Sequence, residues 1–246
     1  MRSSGNRMGL FALGLAVGAL GGLAVERRAR ARRMPHLDAW QRALAKQWGE
    51  VGAAMLASRV QARYDALHAR RPYFAQRALR SHLENNILPG LALYQVLLEE
   101  TGEQGAALAE VEELFKAHLA PHRRLMQWLA HLPRPFFALL LGILHTGTRF
   151  NGILRMGTRF TLPSQGWQIE VIEDNRNCFA LDIYRCFYLN VLAWYGAPEL
   201  TVLFCNADDF IYEALAPAIL WKRTKTLSQG DDHCDCRWRL AGEAMN

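Results

Sequence analysis

An α+β domain, with a helical layer followed by an antiparallel sheet with inserted helices, is predicted by three features of this 246-residue chain. From Asp38 to Leu132 the apolar residues recur at helical spacing. Past Gly157 the period shortens to two, the signature of half-buried strands. Helices come first and strands later, with few strand–helix–strand units, so a parallel sheet is not the expectation. Ahead of this domain stands an apolar segment that predicts an N-terminal membrane-anchor helix.

Met8–Val25 is that segment, eighteen residues without a charge. As a helix it reaches about 27 Å, close to the ~30 Å hydrocarbon core of a bilayer. Gly14, Gly18 and Gly22 are four apart and line one helix face. Small residues so placed let two membrane helices pair closely, a route to a homodimer. A secretory signal peptide is the rival reading, but ERRARARR follows at once, where a small-residue cleavage site belongs. An organelle-targeting peptide is a second rival, because the first 25 residues hold Arg and Ser and no acid. Five arginines follow the segment and two precede it. The positive-inside bias then predicts a single-pass protein of the inner (cytoplasmic) membrane with its C-terminal domain in the cytoplasm. The expected division is an anchor with its basic stretch over residues 1–33 and an α+β domain over 34–246.

The pI near 9.3 invites a nucleic-acid reading, and the charge distribution removes it. Residues 1–34 carry seven arginines against Glu26, a net of +6, and the whole chain is +6. Everything after Met34 is neutral, whereas a nucleic-acid binder puts its charge on the folded domain. No nucleic-acid partner is expected. With 51% hydrophobic and 21% charged residues the chain is globular rather than disordered. Five cysteines with no CxxC pair read as free thiols of a reducing compartment.

The elements follow in order. Asp38 is the expected cap of a helix whose apolar face is Leu44, Trp48, Met55, Leu56, Val60, Tyr64 and Leu67. Gln76–Thr101 repeats the pattern, with a kink or break expected at Pro89-Gly90. Gly105–Leu119 and His122–Leu132 are expected as two helices split at Pro121, with Leu108, Val111, Leu114, Phe115, Leu125, Trp128 and Leu129 in the core. Pro133-Arg134-Pro135 breaks the chain before Phe136–Leu144, which is apolar but too short to span a bilayer. It reads as a buried helix or as an in-plane membrane contact, and His145 as a helix-end residue. Trp167, Ile169 and Val171, then Phe179, Leu181 and Ile183, alternate as an antiparallel hairpin around Glu173-Asp174-Asn175. Phe187–Tyr195 reads as a helix closed by Gly196, and Pro198 opens the next. Asp208 or Asp209 is expected to cap a short segment to Leu215. Ile219–Thr224 and His233–Leu240 flank the turn Ser228–Asp232 as a final hairpin.

Familiar fingerprints are missing: no P-loop, no G-x-S-x-G, no H-E-x-x-H and no G-x-G-x-x-G after a strand. His233-Cys234-Asp235-Cys236 looks like a metal box, but in a strand alternate side chains point to opposite faces. Cys234 and Cys236 share a face with Trp238, and His233 and Asp235 share the other with Arg237. Four adjacent strand residues cannot close a tetrahedral site alone, and a zinc site would need Cys186 or Cys205 brought in by the fold; the expectation is no metal and no cofactor. Arg223 keeps period two with Ile219 and Trp221. If their face is the core, a buried arginine needs an anion, a substrate carboxylate or Asp208 being the natural one. If it is solvent, Arg223 is a surface residue paired with Asp235 across the hairpin.

The run CFYLNVLAWYGAPEL, then FCNADD, then RTKTLSQGDDHCDCRWRL, resembles the L-2-amino-thiazoline-4-carboxylic acid hydrolase family. The resemblance covers roughly Glu84 to Leu240 and is strongest from Cys186 onward. One departure is Cys236, where the family usually has an aromatic residue. The resemblance implies hydrolytic opening of a small sulfur–nitrogen ring to a carbamoyl-cysteine, a step in cysteine metabolism. Cys186, Cys205 and Cys234 fall where the family's pattern also has cysteine, whereas Cys178 and Cys236 read as core filling. The implied catalytic residues are Cys205 or Cys234 for attack or water activation, with Asp208 as proton carrier. Arg223 is expected to hold the substrate carboxylate, and Cys186, Thr226 and Asp235 complete the substrate-binding set. A carboxylate-activated water with structural cysteines fits the residues equally. The C-terminal hairpin is also similar to small-molecule-binding domains of the vinyl-reductase type. That implies the alternative of a membrane-tethered binding or sensing module without turnover. A tethered structural protein that has lost the activity is the third reading.

Overall fold

Where a helical sequence pattern loses its phase, the backbone has had to change its winding, and among the described residues this happens at Gly49 and at Leu83–Ile87. The computed structural model describes residues 33–131, 150–175 and 177–240. The chain divides into Met1–Pro35 and His36–Asn246, and the architecture below is that of the second unit. The expected anchor Met8–Val25 with Gly14, Gly18 and Gly22, and the run Phe136–Leu144 with His145, lie outside the described residues. Among the described residues no helix is long and apolar enough to cross a membrane.

Helix α1 spans Leu37–Ala69. Its N-cap is His36, at φ 70°, and no side chain caps it. Asp38, the expected cap, instead lies inside the first turn, where a carboxylate complements the helix dipole. Gly49 takes φ 66° and ψ 169° inside α1, a conformation open to glycine. That break resets the helical phase. Leu44, Leu56, Val60 and Tyr64 are buried, but Trp48 and Met55, expected on the same face, are exposed.

Helix α2, Arg77–His82, runs through a π-helical turn, Leu83–Ile87, into α3, Leu88–Thr101. The break expected at Pro89-Gly90 is taken up one turn earlier. Pro89 has no N–H to give to the preceding turn. The carbonyls left there find other donors: Asn85 O pairs with His36 Nε2 at 2.9 Å, and Glu84 O accepts from the Tyr64 hydroxyl at 3.2 Å. Helix α4, Gln104–Ala130, is capped by Glu103, which accepts from the backbone N–H groups of Gly105 and Ala106. The split expected at Pro121 does not occur. Pro121 and Ala117, whose carbonyl loses its helical donor, are both exposed, so solvent satisfies the carbonyl without ending the helix. Leu125 and Trp128, expected in the core, are exposed on the last turns of α4.

After α5, Phe150–Thr161, come β1, Gln168–Asp174, and β2, Cys178–Arg185. Helix α6, Phe187–Trp194, and a 3₁₀ turn, Pro198–Leu200, lead into α7, Thr201–Tyr212. Strand β3, Ile219–Lys222, a 3₁₀ turn, Leu227–Gln229, and β4, Cys234–Leu240, complete the domain. Asp208 and Asp209 therefore lie within α7 and cap nothing. Gly90 lets two rings approach α3 closely: a Cβ there would lie 2.8 Å from Phe204 Cζ on α7 and 3.0 Å from Phe115 Cζ on α4, so the rings would have to shift.

The sheet is antiparallel throughout, in the order β1-β2-β4-β3. The fold is thus α+β, with the two central strands far apart in sequence. Opposite pairs Phe179–Trp238, Leu181–Cys236 and Ile183–Cys234 set the buried face, which Trp221 joins from β3 opposite Trp238. Tyr212, Leu215 and Leu227 pack against it. On edge strand β1 the alternation is weaker than expected. A register shift between Val171 and Glu173 leaves Val171 and Ile172 both exposed.

Candidate active site

Period two along β4 turns Cys234, Cys236 and Trp238 inward and Asp235, Arg237 and Arg239 to the other face. The same period carried from Ile219 through Trp221 turns Arg223 inward, and its side chain is only 5% exposed. A guanidinium this desolvated requires an anion. The anion is Asp209, whose Oδ2 accepts from Arg223 Nη2 at 2.7 Å. The same Nη2 donates to the Cys205 carbonyl at 2.7 Å. Trp221 Nε1 donates to the other oxygen of Asp209 at 2.7 Å, and the guanidinium lies 5.6 Å from the Trp221 ring centroid. Arg223 is therefore partnered neither by Asp208 nor by Asp235.

Asp235 faces the opposite side and closes the strand end. Its Oδ1 accepts from the Thr224 and Lys225 backbone N–H groups at 2.7 and 2.6 Å, and its Oδ2 from Thr224 Oγ1 at 2.6 Å. Burial works to raise its pKa, but the hydrogen bonds from Thr224 and Lys225 win and hold it below the ordinary value. Two of the three contacts are to backbone N–H groups, and the third is to the Thr224 hydroxyl.

Asp208, one residue before Asp209, points elsewhere on α7. It makes no hydrogen bond to any described residue. Its side chain is exposed, yet the protein packed around the carboxyl raises its pKa to about 6. Burial is the main cause, with Arg223 opposing and Asp209 reinforcing.

The predicted thiols lie near Asp208, whose charge acts on all three. Cys205 Sγ accepts from Ser228 Oγ at 3.4 Å, and Cys234 Sγ accepts from the Leu227 N–H at 3.3 Å. Both sulfurs thus touch consecutive residues of one 3₁₀ turn. Thr226, at the head of that turn, is buried. Its Oγ1 lies 3.1 Å from Ser228 Oγ, and its N–H donates to Asp231 Oδ2 at 2.7 Å. Gly230 closes the turn at φ 92°, a backbone state that side chains disfavour. Cys186 stands at the head of α6, close enough to Asp208 to feel its charge.

Burial pushes the Cys186 thiol up to about 11 and the Cys205 thiol up to about 12, and it raises Cys234 as well. Asp208 adds to each shift, and Arg223 opposes it at Cys205 and Cys234. Near neutral pH all three sulfurs hold their protons, and a thiol without its thiolate is a poor nucleophile. Cys236 is likewise buried and raised, and all five cysteines are free. Among the described residues no group of three or more His, Cys, Asp or Glu side chains is placed to hold a metal ion.

Four residues at this site were not anticipated as functional. Asp209 could have been found from FCNADDF read as a helix, since it lies one turn after Cys205. Tyr188, His82 and Asn86 could not. The Tyr188 hydroxyl lies 2.9 Å from His82 Nδ1 and 3.2 Å from Asn86 Nδ2, residues more than a hundred positions away, and no local pattern announces the contact. Burial raises the Tyr188 phenol, and the Asp208 charge adds to the shift.

Comparison with known proteins gives one family. A family model described as L-2-amino-thiazoline-4-carboxylic acid hydrolase matches residues 80–238. No curated protein matches the sequence. Among solved structures, the chain is similar to the Fe(II) unliganded H-NOX protein from K. algicida, at 10% identity and a TM-score of 0.32, over 86% of this chain and 97% of that one. It is also similar to the SO2144 H-NOX domain from Shewanella oneidensis in the Fe(II)CO ligation state, at 14% identity and a TM-score of 0.29, over 85% of this chain and 99% of that one.

Proposed function

This chain belongs to the L-2-amino-thiazoline-4-carboxylic acid hydrolase family, and from that premise we propose that it hydrolyses a small 2-aminothiazoline-4-carboxylate-like ring, with Asp208 as the acid and base. One observation carries the reading. Asp208 is a carboxyl without a protein partner among the described residues, and its surroundings, which we read as a substrate recess, raise its pKa to about 6. A group so tuned exchanges protons near neutral pH, which is what general acid–base catalysis asks of it. A bound water attacks the ring carbon between sulfur and nitrogen. A C–O bond forms and the C–S bond breaks. Of the two water protons, one ends on the ring nitrogen and one on the departing sulfur, and Asp208 carries them. The product is a carbamoyl-cysteine with a free thiol.

The other residues take supporting roles in this reading. Cys186, Cys205 and Cys234 line the recess as neutral thiols rather than attacking as thiolates. Arg223 is oriented by Asp209 through Nη2, and no described residue accepts a hydrogen bond from its Nε or Nη1. Those N–H groups suit a substrate carboxylate. Thr226 and Asp235 shape the turn that carries the thiols. We further propose that residues 8–25 tether the domain to a membrane, a reading supported by the arginine asymmetry.

The test follows thiol release from L-2-amino-thiazoline-4-carboxylate. Asp208→Asn is expected to lower the rate by roughly 10²- to 10⁴-fold. The double variant Cys205→Ala, Cys234→Ala is expected to keep measurable turnover. Full activity of Asp208→Asn, with loss only in the cysteine variants, overturns the assignment. Stoichiometric binding with no thiol release supports the alternative of a binding module.

A further inference from the structure

The polar chain behind Tyr188 has a direction, and the direction decides what the recess can recognise. His82 Nε2 lies 2.6 Å from the Thr161 carbonyl, a group that only accepts, so Nε2 carries the hydrogen. Burial lowers the pKa of His82, with the Thr161 hydrogen bond opposing, and the ring is neutral with a bare Nδ1. The Tyr188 hydroxyl, 2.9 Å from that nitrogen, must donate to it. Its only hydrogen is then committed. Asn86 Nδ2, at 3.2 Å, donates to the phenolic oxygen and takes one of its two lone pairs. One lone pair remains, and no hydrogen.

We infer that Tyr188, locked by His82 and Asn86 as a hydrogen-bond acceptor only, is a specificity-determining residue that works with the acceptor oxygens of Asp208 to select ligands presenting N–H groups on an amidine-like carbon. Three further observations support the pairing. The charge of Asp208 acts on Tyr188 and adds to the upward shift that burial gives its phenol. The Tyr188 ring is held 4.9 Å from Phe204, four residues before Asp208 on α7. His82 and Asn86 reach one hydroxyl across the π-helical turn Leu83–Ile87, a rare conformation that recurs at functional sites. The opened carbonyls of that turn are satisfied by Tyr64 and His36, so the conformation is held independently of any ligand. The inference rests on reading this recess as the substrate site.

The test compares binding of two rings by calorimetry on the full chain: L-2-amino-thiazoline-4-carboxylate, and its 2-methyl counterpart, which keeps the carboxylate and lacks the exocyclic N–H groups. The wild type is expected to prefer the amino ring by about tenfold or more, the scale of a buried hydrogen bond to a polar group. Tyr188→Phe keeps the aromatic packing and is expected to lose most of that preference. His82→Phe frees the Tyr188 hydrogen to donate. It is expected to weaken the amino ring and strengthen the methyl ring, whose nitrogen accepts. A merely structural role for His82 weakens both rings in parallel. That outcome, or an unchanged preference in Tyr188→Phe, overturns the inference, and Tyr188→Phe carries the test alone if His82→Phe does not fold. Thiol release in the same samples separates the two readings. Preference without thiol release keeps this inference and removes the hydrolase reading, and thiol release without preference does the reverse.

Discussion

Adjacent aspartates on α7 meet opposite fates because neighbouring helical residues point about 100° apart. Asp209 is spent on the buried Arg223, and Asp208 opens into the recess without a partner. The pair therefore responds differently to the loss of its charge. Asp209→Ala strands a buried guanidinium and is expected to cost roughly 3 kcal/mol, read as a lowered denaturation midpoint. Asp208→Asn is expected to behave the other way. Its folded pKa of about 6 lies above the unfolded value of ~3.9. A raised pKa contributes stability below the unfolded value and loses it as the pH rises through the folded one. The variant should therefore gain thermal stability over wild type at pH 8 and lose that advantage near pH 4. Solvent reaches this side chain, so the gain is discounted to roughly 1 kcal/mol or less. An advantage that grows on acidification contradicts the assignment. In wild type the base form of Asp208 disappears below about pH 6, and turnover should fall with it.

At the scale of elements, the final hairpin joins two tasks. Its inner face supplies Cys234 and Arg223 to the recess, and its outer face supplies Asp235, which ties the strand end to Thr224 and Lys225. Asp235→Asn should cost about 1–2 kcal/mol through weakened hydrogen bonds to the backbone. Its folded pKa is depressed, so the stability it contributes is present above the unfolded value and lost as pH falls through the folded one. The gap between wild type and Asp235→Asn, followed by thermal melts, should therefore narrow as the pH falls below the ordinary carboxylate range. A constant gap across that range would mean that the charge is not what the backbone N–H groups recognise. The π-helical turn is the helical layer's counterpart: a local departure that aims His82 and Asn86 at one hydroxyl.

For the whole molecule, the outstanding proposal is the tether. The charge of the chain is concentrated beside residues 8–25, and residues 35–246 are neutral. A reporter fused after Asn246 and active only in the cytoplasm should be active, and the protein should sediment with membranes. A mature chain beginning after residue 25 and recovered outside the cytoplasm would remove the proposal.

What the sequence determined by itself is what depends on near neighbours. The switch from helical to two-residue period marked the α+β order and both hairpins. Alternation in CDCRWRL put Cys234, Cys236 and Trp238 on one face, and the same rule put Arg223 on the face of Trp221. These were legible because strand and helix periods are local properties of the backbone. The phase break at Gly49, the unbroken helix through Pro121 and the exposed Trp128 were not legible, because each depends on what packs against the element. The anion chosen by Arg223 and the donors chosen by Tyr188 belong to the same class. Any carboxylate near a buried arginine satisfies electrostatics, and only the packing of α7 on β3 decides that Asp209 arrives and Asp208 does not. His82 and Tyr188 are 106 residues apart, and the helices and strands between them carry no pattern that announces a contact at that distance. The tertiary structure alone brings them within 2.9 Å, because long-range contacts are settled by the burial of whole faces rather than by the residues beside them in the chain.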